Sequence, residues 1–287
     1  MKLISYLHGG RESWGAVTGN AVIDLQEPTG IASLAEFLGS GQFIARDSLA
    51  AAAKITAEFD SIKLLPPIPR PEKIICAVRN YLDHHQEIVA SGIKRELSDF
   101  PPIFLRTWRS QVAHREPIVR PRVSETLDWE GEMAIVIGKG GRNITEGVAY
   151  EHVAGYSVYN DASVRDWQFH AKQITSGKNF ESTGGFGPWV VTRDEITDGA
   201  SLNLTTRVNG GVVQSGNTNQ MIFSTAQLIA YASTIFTLVP GDVVVTGTPS
   251  GVGFSRKPPQ YLKQGDIVEV ELERIGTLRN PVVDQVW

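Results

Sequence analysis

A single cysteine, Cys76, stands among 287 residues, so no intrachain disulfide can form and a reducing compartment suits the chain. Apolar runs are strand-sized, well short of the roughly 20 residues that a membrane helix needs. The opening stretch, MKLISYLHGGRESWG, meets polar residues before any signal-peptide core could form. Charge of neither sign dominates: 27 basic against 31 acidic residues leave a net −4. Nothing therefore draws the whole molecule to nucleic acid or an anionic membrane. Any anionic ligand must be held by a few local cations. These absences lead us to expect a soluble cytoplasmic protein with neither nucleic-acid nor membrane partners. Internal repeats and low-complexity segments are missing too.

What the chain has in quantity is punctuation. Its 28 glycines and 15 prolines divide short runs of alternating or β-branched residues, the pattern of strands. Strands are expected at Lys2–Leu7, Gly15–Thr18 and Ala21–Asp24, then in KIICAV, IFLRTW, MAIVIG, VAGYSVYN, PWVVT, LNLTTRVN, VVVTG and IVEVEL. Helical periodicity is clearest in IASLAEFL and SLAAAAKITAEF within 31–59, in NYLDHHQEIVAS, and at 224–236. The segment LLPPIPRP can neither continue a helix nor donate to a ladder, so it reads as an extended connector. The expected organisation is a small α+β domain with connector over 1–69 and a β-rich α+β body over 70–287.

The strongest chemical signal is Asp128-Trp129-Glu130-Gly131-Glu132, running straight into the apolar MAIVIG. Residues two apart share a face of a strand, so Glu130 and Glu132 project together. Alone, such a pair is commonly a solvated strand end. A further carboxylate at the end of GYSVYND, Asp161, changes the weighting. Three carboxylates without histidine or cysteine suit a hard cation, Mg²⁺ or Mn²⁺. Arg165 follows closely enough to reach an anion on that metal. His84 and Glu87, three apart on a helix, form either a surface pair or a general base with its orienting carboxylate. Lys178, in Ser176-Gly177-Lys178, is either solvated or placed to stabilise an oxyanion. The loop Thr246–Gly253 is either a structural turn or a cradle whose amides and hydroxyls hold a ligand carboxylate, and it lacks the lysine of a phosphate loop.

In this order, KIICAVRNYLDHHQE, DWEGEMAIVIGKGGRN, GYSVYNDASVRDWQ, GKNFESTGGFGPW, NGGVVQSGNTNQMIFS and PGDVVVTGTPSGVG resemble the fumarylacetoacetate hydrolase family over roughly 70–287. The resemblance implies a mixed, rolled β-sandwich around a Mg²⁺ or Mn²⁺ site, commonly in a homodimer. It implies Glu130, Glu132 and Asp161 as metal ligands, His84 and Glu87 as the water-activating pair, and Lys178 beside the metal. Arg165, Gln168 and Thr248 match substrate-contacting positions. Two departures stand out. Arginines and a tryptophan occupy Phe104–Arg109 where many members carry a lysine-proline pair, and Glu181 replaces a common aspartate. The extra arginines suggest a second anionic or aromatic end on the substrate.

The first functional expectation is metal-dependent hydrolysis of a C–C bond in an acylpyruvate-type 2,4-dioxo acid. The alternative uses the same residues for decarboxylation or isomerisation of a 2-oxo or 2-hydroxydienoic acid, as an oxaloacetate decarboxylase or ring-cleavage isomerase would. A non-catalytic homologue would be expected to lack a metal carboxylate or the His–Glu pair, and all five residues are present.

Overall fold

The computed structural model describes residues 1–41, 55–90, 92 and 96–286. Among these, a twelve-stranded mixed sheet is the backbone of the molecule. Its centre is the strand Gly131–Ile137, antiparallel to Val153–Asn160 on one side and to Val243–Val245 on the other. Every residue of Gly131–Ile137 is buried. The cause is cover on both faces, which removes the usual polar alternation. Met133, Ile135 and Ile137 enter one apolar cluster, and Ala134 and Val136 enter another.

The first face is covered by a five-stranded sheet ordered Gly211–Asn217, Asn203–Val208, Ile267–Leu272, Gly276–Asp284 and Ile118–Arg120. Its Leu204, Val268, Val270 and Leu278 pack with Met133 and Ile135, which makes the body a β-sandwich. The second face meets the N-terminal segment, where Leu34, Phe37 and Leu38 of the helix Leu34–Ser40 join Trp14, Val136 and Val243. The change of composition at 69/70 is not a break in the sheet. Lys2–His8 pairs with Gly184–Thr192, Leu3 opposite Val190, so the N-terminal strands extend the sheet of the body.

The expected helices over IASLAEFL, NYLDHHQEIVAS and 224–236 form as Leu34–Ser40, Leu82–Ala90 and Thr225–Ile235. The last is opened by a capping box in which Ser224 accepts from Gln227 N–H and the Gln227 side chain reaches back. The helical expectation for SLAAAAKITAEF needs correction at its end. Ile55–Glu58 is a strand paired with Ala21–Asp24, followed by a 3₁₀ turn at Phe59–Ser61; residues 42–54 lie outside those described. Two β-branched residues, Ile55 and Thr56, beside an available sheet edge outweigh helical spacing. Strands Gly211–Asn217 and Gly276–Asp284 were not anticipated, because Gly, Gln, Asn and Pro weaken their local pattern and pairing partners supply the order. Among the described residues no helix is long and apolar enough to cross a membrane.

Candidate active site

The adjacent ends of two central strands build the carboxylate cluster. Gly131 pairs with Asn160, and Asp161 N–H donates to Glu130 O at 2.8 Å, so DWEGE and YND meet. Glu130 and Glu132 project from the same face as Ala134 and Val136, whereas Gly131 faces the sandwich interior. A Cβ on Gly131 would come within 2.1 Å of Thr206 Oγ1, so the close sheet contact explains the glycine between the two glutamates. One oxygen from each of Glu130, Glu132 and Asp161 lies within 4.8 Å of the others, all three residues being buried.

Cations surround two of these carboxylates. Lys178 Nζ donates to Glu130 Oε2 at 2.7 Å and to Asp161 Oδ2 at 2.6 Å. Arg165 Nη1 pairs with Glu130 Oε1 at 2.6 Å, and its Nε donates to the buried Asp128 at 2.8 Å. Burial alone would raise the Glu130 carboxyl, but Lys178 and Arg165 hold it below the ordinary range. Glu132 differs. It accepts from Gly247 N–H, and burial together with Asp161 and Glu130 pushes its carboxyl well above the ordinary range. A carboxylate in that position is stabilised as an anion only by added positive charge. Three oxygen donors converging with one charge unmet suit a hard divalent cation.

The helix Leu82–Ala90 brings the expected base to the same cleft. His84 Nδ1 lies 3.0 Å from Glu87 Oε2, and the other Glu87 oxygen accepts from Gly251 N–H at 2.9 Å and Ser255 Oγ at 2.6 Å. Burial works against the Glu87 charge, but His84, Ser255 and Gly251 outweigh it and lower its carboxyl. His84 and Glu87 are therefore not a surface pair, His84 being buried. His84, the three carboxylates, Arg165, Gln168, Lys178 and Thr248 all line one cleft. Its remaining walls are largely apolar, with Ile88, Phe104, Phe169 and Phe254 prominent. Gln168 Oε1 accepts from Arg165 Nη1 at 2.8 Å, and the Thr248 hydroxyl donates to Gly131 O at 2.9 Å.

Of the two readings of the loop Thr246–Gly253, the structural turn is favoured, because its amides serve the chain's own carboxylates. Gly247 N–H goes to Glu132, Ser250 to Asp83, Gly251 to Glu87 and Gly253 to Asp128. The loop aligns the acidic side chains rather than receiving an external acid. Nor do the extra arginines mark a second substrate end. Arg106 is buried against Asp161, and Arg109 forms an exposed pair with Glu181 at 2.7 Å. The two departures at 109 and 181 thus meet each other on the surface. Asp128, which anchors Arg165 and accepts from Gly253 and Phe254 N–H, was missed as a positioning group. Its place two residues before Glu130 was the signal available.

Comparison with known proteins agrees with this geometry. Residues 73–283 match the fumarylacetoacetate (FAA) hydrolase C-terminal family. An oxaloacetate tautomerase of Xenopus laevis, described as mitochondrial, is 45% identical over 272 residues, covering 92% of this chain and 83% of that protein. Among solved structures, a fumarylacetoacetate hydrolase from Exiguobacterium antarcticum is 34% identical with a TM-score of 0.82, covering 99% of this chain and 100% of the other. A maleylpyruvate hydrolase from Sphingobium sp. SYK-6, solved with manganese(II) and pyruvate, is 27% identical with a TM-score of 0.81, covering 99% of both chains. With the ordered motifs, the sandwich and the buried acidic cluster in agreement, the chain belongs to the fumarylacetoacetate hydrolase family.

Proposed function

We propose that the chain is a keto–enol tautomerase of short 2-oxo dicarboxylic acids, of which oxaloacetate is the simplest, working with Mg²⁺ or Mn²⁺. The observation that carries the reading is the buried His84, held by Glu87 and lining the same cleft as the carboxylate cluster, in a chain 45% identical to an oxaloacetate tautomerase. A divalent ion held by Glu130, Glu132 and Asp161 would supply Lewis acidity to the substrate's carboxylate and 2-oxygen.

The chain's own residues account for the rest. Arg165 and Lys178 bring positive charge to the place where the enolate oxygen gathers negative charge. Arg165 Nη2 is buried without a partner among the described residues, leaving a donor for a substrate oxygen. Glu87 accepts from His84 Nδ1–H, which leaves Nε2 as the base toward the cleft. His84 takes a proton from the carbon beside the oxo group to give the enolate, whose 2-oxygen then takes a proton from water; in the reverse direction the enol oxygen gives its proton to water and protonated His84 returns one to the carbon. Ile88, Phe104 and Phe254 limit water at the reacting carbon.

Acylpyruvate hydrolysis remains the second reading. The His84–Glu87 pair favours it, because the same base can take a proton from water, and the two hydrolase structures at 34% and 27% identity support it. The deciding assay follows loss of the oxaloacetate enol absorbance and ²H exchange at C3, with acylpyruvate products identified in parallel by mass. Wild type with Mn²⁺ should accelerate both oxaloacetate signals, and His84→Ala should lose roughly 10²–10⁴-fold, as removal of a general base does. Faster acylpyruvate cleavage with no enol effect would replace tautomerisation by hydrolysis.

A further inference from the structure

Arg106 ends the strand Ile103–Arg106 and is buried, yet it does not line the cleft. Its guanidinium is spent in several directions. Nε donates to Ser110 Oγ at 3.1 Å and Nη2 to Thr183 Oγ1 at 2.8 Å. Nη1 donates to Asp161 Oδ1 and to Ala162 O, the latter at 3.2 Å. A lysine, with one nitrogen, cannot satisfy acceptors spread across a planar fork. The surroundings are shaped to the guanidinium as well. A Cβ on Gly184 would lie 2.8 Å from Arg106 Nη2 and 3.0 Å from its Cζ, so a glycine keeps the slot open.

We propose that Arg106 is a positioning residue that makes Asp161 a one-oxygen metal ligand. By taking up Oδ1, it leaves Oδ2 alone to face the cluster, where that oxygen accepts from Lys178 at 2.6 Å. Arg106 stands outside the cleft, unlike Lys178, so the oxygen it holds is turned away from the cluster and two-oxygen chelation by Asp161 is disfavoured. A site built this way favours small six-coordinate ions such as Mg²⁺ and Mn²⁺ over Ca²⁺, which readily takes bidentate carboxylates and more ligands. The inference rests on the metal reading of the three carboxylates, but not on which reaction the site performs.

The test reads metal binding, not turnover. Free Mn²⁺ would be titrated by EPR against wild type, Arg106→Lys and Gly184→Ala, each checked for fold by circular dichroism, with Ca²⁺ as competitor. Both variants should bind Mn²⁺ about 10–100-fold more weakly, the usual loss for an outer partner of a ligand. They should also discriminate less against Ca²⁺. Folded variants that keep wild-type Mn²⁺ affinity and preference would overturn the proposal. Should neither variant fold, the wild type still decides it: broadening of its Mn²⁺ signal in H₂¹⁷O counts bound waters. One oxygen from each carboxylate leaves about three of six positions to water, and a smaller count overturns the proposal. A wild type that binds no Mn²⁺ removes the metal reading and this inference together. Failure of the tautomerase assay alone leaves it standing.

Discussion

Glu132 differs from its two neighbours in the cluster because, among the described residues, no cation pairs with it directly. Lys178 serves Glu130 and Asp161, and Arg165 serves Glu130, while Glu132 accepts from the Gly247 amide. Glu132→Gln should therefore lower Mn²⁺ affinity by more than about 100-fold, beyond the loss typical of an outer partner. The fold should not suffer, because the substitution removes a carboxyl whose charge burial and two like neighbours already oppose. Thermal unfolding without added metal should show a midpoint equal to wild type or raised by a few degrees (about 1 kcal/mol corresponds to roughly 2–4 °C at this size). A midpoint well below wild type would mean that Glu132 holds the structure rather than an ion. At this scale much was legible. The E-x-E spacing placed two carboxylates on one face, and the His84–Glu87 spacing placed that pair on one side of a helix. The roles of Arg106 and Arg109 were not legible, since a positive charge in sequence does not reveal whether a carboxylate of the same chain will take it up.

Gly131 shows how an element delivers the site. It separates the two glutamates on a strand that packs against Asn203–Val208 and Ile267–Leu272, with 2.1 Å to Thr206 Oγ1 and 2.9 Å to Val270 Cγ1 for any added Cβ. Gly131→Ala must push the strand or the covering sheet aside. A loss of about 1–3 kcal/mol is expected for such overpacking, read as a lower denaturant midpoint, together with weaker Mn²⁺ binding because Glu130 and Glu132 move with the strand. Unchanged stability would show that the two sheets can separate there without cost. Central strands were readable because continuous apolar runs announce burial on both faces. Gly211–Asn217 and Ile55–Glu58 were not, because their order comes from the strands they pair with.

The whole molecule closes where the long sheet and the five-stranded sheet meet, and His114 lies on that seam. It follows the strand Gln111–Ala113, and its Nδ1 accepts from Arg279 N–H at 3.0 Å. Burial, then Arg115 and Arg279, hold the imidazole down to about 4 from an ordinary 6.5. In the unfolded chain the group takes up its proton near the ordinary value, so between these limits the unfolded state binds more protons. The contribution of His114 to stability is thus complete above about pH 6.5 and is lost as pH falls toward 4. Urea midpoints measured across this window should fall with pH, and less steeply in His114→Gln. An equal slope in both proteins would place the acid sensitivity elsewhere.

By itself the sequence determined the chemistry on offer: three carboxylates, a histidine with its carboxylate, a lysine and an arginine, on a scaffold rich in strands. Those features depend on residue identity and on spacings of two or three, which local geometry turns into shared faces. Only the tertiary structure decided which charges meet. Lys178 reaches Glu130 across 48 positions, Arg165 reaches Asp128 across 37, and Arg106 reaches Asp161 across 55. Over such separations, the contacts are set by which strands pair and which faces are covered. Burial then enforces them, because a charge removed from water must find a partner or lose its proton.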